Sequence, residues 1–318
     1  MHRLFKTLLA TSLISLGACS YLADEQVSTH SLQANYEWGS EFESLPTPPQ
    51  GQSWQINPQH TDEFDHWDST KWQALHKWWN GSSKTRPGAY VEADHMNDTE
   101  NVDIKNSVLY LYAKPNGPSA EKWVGTSVVS SKQPISYGYY EVKMKASMLA
   151  TTSAFWMQGR FSEIDVIEAI GAPKKGAKKF GTSLMTNYHH FPNGFGKPGY
   201  SNGAVENPAI KNSHGLPDGA AHDWHTYGIW WVNEKEAYFY LDGKRVDDFH
   251  VAKTGEVTDR LIFPAPFDET MTLFLDTEVW NWGDGKPGTP TLEELSATDG
   301  SNAMQVEWVR AYQLTPMQ

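Results

Sequence analysis

Ser162-Glu163-Ile164-Asp165-Val166-Ile167-Glu168-Ala169 sets three carboxylates among β-branched apolar residues, a composition that fits a strand. Strand residues two apart share a face, so Glu163 and Asp165 point one way while Glu168, at an odd offset, points the other. A β-bulge near Val166 or Ile167 would set two residues against one partner and return Glu168 to the face of Glu163. The flanking sequence repeats the theme. Short alternating segments, clearest at residues 108–112, 138–145, 238–241 and 305–310, are parted by Gly, Asn, Asp and Pro clusters, the pattern of an all-β chain. Asp242-Gly243 between two β-like runs marks a hairpin. Only residues 290–295, where Thr291 precedes an acidic turn, read as a short helix. No repeat of about 20 to 50 residues is visible, which argues against a propeller or solenoid and leaves a two-sheet sandwich.

Further out, an apolar run over residues 7–16 leads to Leu16-Gly17-Ala18-Cys19-Ser20. The run is too short for a permanent membrane span and reads as a signal peptide. Leu-Gly-Ala-Cys resembles the lipobox of bacterial lipoproteins, which implies acylation of Cys19, and Ser20 resembles the outer-membrane form of that signal. The expected layout is a signal peptide at 1–18, a Pro-punctuated tether and entry segment at 19–50, and one β domain at 51–318. Cys19 is the single cysteine, which excludes an intramolecular disulfide and a cysteine-based zinc site. The net charge of −12 becomes −14 once Arg3 and Lys6 leave with the signal peptide. So acidic a chain is not expected to bind nucleic acid, and a polyanionic substrate requires positive charge gathered locally.

With the bulge in place, Glu163 and Glu168 lie about four strand steps apart, roughly 13 Å between Cα atoms. Two long Glu side chains leaning together can bring their carboxyls to about 5 to 5.5 Å, the spacing of a covalent, retaining glycosidase. Asp165, shorter and between them, suits a hydrogen-bonding role. Crowded carboxylates cannot all ionise, so Glu163 is expected to be the nucleophile and Glu168 the general acid and base. The plain alternatives are an exposed acidic strand or a calcium ladder. The 14 Trp and 14 Tyr exceed ordinary usage, and flat aromatic faces hold sugar rings through their C–H groups.

Glu-Ile-Asp-Val-Ile-Glu resembles the bulged active-site strand of glycoside hydrolase family 16. Ser153-Ala154-Phe155-Trp156-Met157 ahead of it, residues 137–143, 224–231 and 240–243, and the closing strand at 306–312 recur in the family's order, over about residues 54 to 313. The resemblance implies a β-jelly-roll of two antiparallel sheets with a concave cleft. Met185-Thr186-Asn187-Tyr188-His189-His190-Phe191, Asp276-Thr277-Glu278 followed by Trp280, and residues 290–295 resemble the marine galactanase branch of agarases, porphyranases and carrageenan or furcellaran hydrolases. The implied activity is endo-acting, retaining cleavage of β-1,4-galactosidic bonds in red-algal galactan of agarose or porphyran type. Alternatives are a furcellaran or κ-carrageenan hydrolase, a β-1,3(4)-glucanase, and a non-catalytic polysaccharide-binding lipoprotein. Where agarases carry Trp-x-Gly-Pro, this chain has residues 78–87, Trp-Trp-Asn-Gly-Ser-Ser-Lys-Thr-Arg-Pro.

Candidate substrate-binding residues are Trp156, Trp78, Trp79, Arg86, His189, His190, Glu278 and Trp280. Adjacent His189 and His190 must face opposite ways, so only one of them reaches substrate. Lys174, Lys175, Lys178 and Lys179 form a solvated loop, or, with Arg86 and Arg160, an anion site for sulfate groups. No cofactor is needed for catalysis by two carboxylates. Family resemblance implies a possible structural calcium ion near Glu307. The remaining expectations are a polysaccharide partner, a membrane reached through the lipid anchor, and a monomeric outer-membrane lipoprotein.

Overall fold

The structure is a computed structural model that describes residues 45–74, 101–115, 124–208, 219–279 and 287–317. Cys19, Trp78, Trp79, Arg86 and Trp280 lie outside the described residues. Among those described, two large antiparallel sheets face each other. The outer sheet runs β16 (Lys244–Arg245), β15 (Glu236–Leu241), β14 (His225–Trp231), β8 (Gly138–Lys145), β21 (Ala303–Pro316), β4 (Val108–Tyr112) and β3 (Val102–Lys105), with β1 (Gln52–Ile56) on β21 and β19 (Leu261–Ile262) on β15. The site-bearing sheet runs β18 (Val257–Thr258), β17 (Phe249–Val251), β13 (Val205–Asn207), β11 (Leu184–His190), β10 (Ser162–Ile170), β9 (Thr152–Gln158), β20 (Thr272–Asp276), β7 (Val128–Ser131) and β2 (Trp72–Gln73), with β12 (Ser201–Asn202) on β11. A separate two-stranded piece joins β5 (Lys114–Pro115) and β6 (Val124–Gly125).

Alternation explains the sandwich. Phe155, Met157, Ile164, Leu273 and Leu275 from one sheet pack with Tyr140, Val142, Met144, Ile229, Trp231 and Val309 from the other in one buried cluster. Their intervening neighbours Ala154, Trp156, Phe274 and Val128 form a second cluster on the open face of the site-bearing sheet. Thr291 caps helix α2 (Leu292–Leu295) by accepting from the Glu294 amide, while the Glu294 carboxylate accepts from the Thr291 amide, the reciprocal box that stabilises a short helix. Asp242 (φ 51°) and Gly243 (φ 74°) make the turn between β15 and β16, as Asp-Gly leads one to expect. A second helix, α1 (Lys179–Thr182), begins at the last lysine of the lysine-rich segment and corrects the expectation of a single helix. At its single turn, amphipathic periodicity has too few residues to register.

Candidate active site

The bulge is present. Asp165 pairs with Trp156 and Ile167 with Phe155, leaving Val166 as the extra residue of β10. Val166 and Ile167 are both fully buried in the main core, so two consecutive side chains turn inward and Glu168 comes out beside Glu163 and Asp165. Apolar burial of both residues, about 1.5–3 kcal/mol each, holds the irregularity in place. Across the bulge, Glu168 lies opposite Ala154, a member of the open-face cluster.

Neighbouring strands complete the site. Gln158 lies opposite Glu163 on β9 and His189 opposite it on β11. Gln158 Nε2 donates to Glu163 Oε2 at 2.5 Å, and Gln158 is fully buried. His189 Nε2 stands 3.4 Å from Glu163 Oε1 and 3.4 Å from Asp165 Oδ2, with Asn187 Nδ2 3.3 Å away. Burial alone would lower the His189 pKa, but the carboxylates of Glu163, Asp165 and Glu168 outweigh it and lift it to about 9. The ring is therefore an imidazolium at neutral pH. The Glu168 carboxyl is raised as well: burial, then the charge of Asp165, push it well above the ordinary range, with His189 opposing and Glu163 and Glu278 adding to the rise. One open face thus carries a carboxylate held by an amide and a cation beside a carboxyl kept protonated, the division of labour that acid and nucleophile chemistry requires. Glu163, Asp165 and His189 present ligand atoms within 4.8 Å of one another.

The turn leading into β10 is clasped from a distance. The Glu269 carboxylate accepts from the Arg160 amide (2.8 Å), the Phe161 amide (2.7 Å) and Ser162 Oγ (2.6 Å). A Cβ at Gly159 would come within 2.2 Å of Glu269 Cδ, so glycine there lets the carboxylate close in.

Trp156 occupies the open face next to Asp165. It is 5% exposed and stacked on Phe274 with centroids 4.6 Å apart, so it forms floor beneath the carboxylates. His190 turns away from Glu163 and packs near Phe267, centroids 6.1 Å apart. Glu278 is buried, its amide donating to Thr152 Oγ1 at 2.7 Å, and its charge reaches Glu168. The single anion site imagined for the lysines together with Arg160 does not form. Arg160 precedes β10 and the lysines follow it, and nine strand residues span about 26 Å. Lys174 pairs with Glu294 at 2.6 Å and Lys179 with Glu206 at 3.3 Å. Glu307 does not fit a calcium site either, since it is the bulged residue of β21 and lies 2.6 Å from the Lys143 ammonium, whereas calcium wants several converging oxygens. Sequence reasoning missed Gln158, Asn187 and Glu269. Gln158 carried a signal, being two residues beyond Trp156 and so on its face.

The family description "Beta-porphyranase A-D, GH16 domain" matches residues 54–314. Beta-porphyranase B of Phocaeicola plebeius is 29% identical over 341 residues, covering 98% of this chain and 99% of its own. Beta-porphyranase E of Zobellia galactanivorans is 33% identical over 286 residues, covering 85% and 91% respectively. The crystal structure of a β-porphyranase from the gut bacterium Bacteroides plebeius superimposes with a TM-score of 0.67 at 27% identity, covering 86% of this chain and 96% of that one. With the jelly-roll fold, the bulged carboxylate strand and a match across nearly the whole β domain, the chain belongs to glycoside hydrolase family 16, in its β-porphyranase branch, and is an O-glycosyl hydrolase.

Proposed function

We propose that this enzyme is an endo-acting hydrolase of β-1,4-galactosidic bonds in red-algal galactan of the agarose or porphyran type, acting with retention. The observation that carries the mechanism is the pairing on one face of Glu163, fixed by Gln158 and His189, with Glu168, kept protonated by burial and neighbouring charge. Glu163 attacks the anomeric carbon while Glu168 gives its proton to the leaving oxygen. Glu168, then a base, takes a proton from water as that water displaces Glu163 from the glycosyl-enzyme. Asp165, with His189 3.4 Å away, keeps the imidazolium between the two anions. Support for a galactan comes from the relatives, whose names include β-porphyranase and extracellular agarase.

Incubating residues 20–318 with agarose, porphyran, furcellaran, κ-carrageenan, laminarin and lichenan tests this. Oligosaccharides released from agarose or porphyran, with the β-anomer formed first, are expected, and Glu163→Gln should abolish release. Products from the glucans alone would refute the galactanase reading, and binding without hydrolysis would replace the enzyme with a binding lipoprotein. The proposal includes export and monomeric anchoring to the outer membrane through acylated Cys19. Labelled palmitate should enter the wild type and not Cys19→Ala.

A further inference from the structure

The open face continues past β11. β12 pairs with β11 at His189↔Asn202 and His190↔Ser201, so Tyr200, one residue before β12, stands across from Phe191, and cross-strand neighbours share a face. The His189 and Phe191 rings are parallel within 5° and 6.0 Å apart. The Tyr200 ring lies 6.0 Å from His189 and 6.2 Å from Phe191. A row of rings therefore begins at the imidazolium beside Glu163 and ends at Tyr200. Phe191 within the row is 7% exposed, whereas Tyr200 is 59% exposed.

The segment that presents Tyr200 is braced. The Phe191 amide donates to the Phe161 carbonyl at 2.7 Å and the Phe195 amide to the Arg160 carbonyl at 2.8 Å, while Asn193 Nδ2 donates to the Pro198 carbonyl at 3.0 Å. Single exposed apolar side chains are ordinary on any protein. This one terminates a row of rings that starts at the reacting carboxylate, on a loop tied by main-chain bonds to the turn that precedes β10. Across β10, on the opposite flank, lie Trp156 and Phe274.

We propose that Tyr200 is the stacking platform of a sugar subsite on the β11 flank of the cleavage point, receiving the C–H face of a galactosyl ring of the substrate chain. This rests on the function proposed above. Asn202, whose Oδ1 accepts from Lys253 Nζ at 2.9 Å, borders the platform and forms its polar edge for hydroxyl groups. A ring held rigid before substrate arrives loses little freedom on stacking, which favours binding.

The test compares wild type, Tyr200→Ala and Tyr200→Phe on the galactan that the wild type degrades and on its oligosaccharides of increasing length. Tyr200→Ala should lower kcat/KM roughly three- to tenfold on polymer and long oligosaccharides. It should leave the shortest substrates, which end before the platform, and the pH profile unchanged. Tyr200→Phe, which keeps the ring and the fold, should match wild type. An equal loss at every chain length would mean that Tyr200 acts on His189, and it would overturn the proposal. So would a phenylalanine variant as impaired as alanine, or no loss at all. A wild type that cleaves only glucans refutes the galactan reading separately, and the same length series on that glucan then decides the platform.

Discussion

Replacing His189 with Gln removes a cation from between two carboxylates while keeping an amide donor in the same place. In the native site the pKa of His189 rises from its usual 6.5 to about 9, a gain of about 2.5 pH units, or about 3 kcal/mol in favour of the charged ring. Linkage is reciprocal, so the variant withdraws from the ionised carboxylates that face the ring the stabilisation that the imidazolium gives them. Glu163 acts on the ring by its charge, and Asp165 by a hydrogen bond as well as its charge. With the imidazolium gone, the Glu163 carboxylate loses a facing cation and its ionisation moves up. The acidic limb of kcat/KM against pH, measured by reducing-end release on the preferred galactan, should shift upward. An acidic limb that stays in place, or moves down, would refute the assignment of Glu163 as the anion that His189 stabilises.

Gln158→Ala removes the donor to Glu163 Oε2. A hydrogen bond to a charged group contributes about 1.5–3 kcal/mol, so steady-state kinetics should show kcat lowered about ten- to a hundredfold with KM little changed. Deleting Val166 restores regular alternation and leaves Glu168 two residues after Asp165, on the same open face. Differential scanning calorimetry should show a melting temperature lowered by the lost burial of Val166, with turnover retained. On the outer sheet, burial raises the Glu141 pKa from 4.5 to about 7, partly offset by a hydrogen bond from Tyr139 and the charge of Arg310. The folded state holds that proton more tightly than the unfolded chain, so no penalty exists below about pH 4.5 and it is imposed in full as pH rises through about 7. Denaturant titrations across this window should show wild type losing at most about 3 kcal/mol from this group, and Glu141→Gln should flatten the decline.

The bulge is legible in the letters because a carboxylate at Glu168 has no tolerable place in an apolar interior, so its odd offset demands a slip in the alternation. The sandwich is legible for a similar reason, since each strand alternates between the shared core and the outside. Gln158 shows how far such reading goes. Its face follows from Trp156, but its bond to Glu163 depends on the length of the turn at residues 159–161. Tyr200 is harder still, because its position depends on a short strand pairing across a glycine-rich loop. Nearness in sequence misleads at Arg160 and the lysines, which a whole strand separates. Glu307 misleads because its carboxylate meets Lys143 only through the register slip between β8 and β21.

Glu269 stands 107 residues from the Ser162 hydroxyl it holds, in a connection stiffened by Pro264 and Pro266 and seated on the fully buried Phe267. The catalytic strand therefore borrows its starting posture from a remote stretch that contributes no group to the chemistry. For anyone redesigning specificity, residues 264–269 behave as scaffolding of the reaction centre. A loop graft or a protease nick there would disarm the enzyme while leaving Glu163, Asp165 and Glu168 intact.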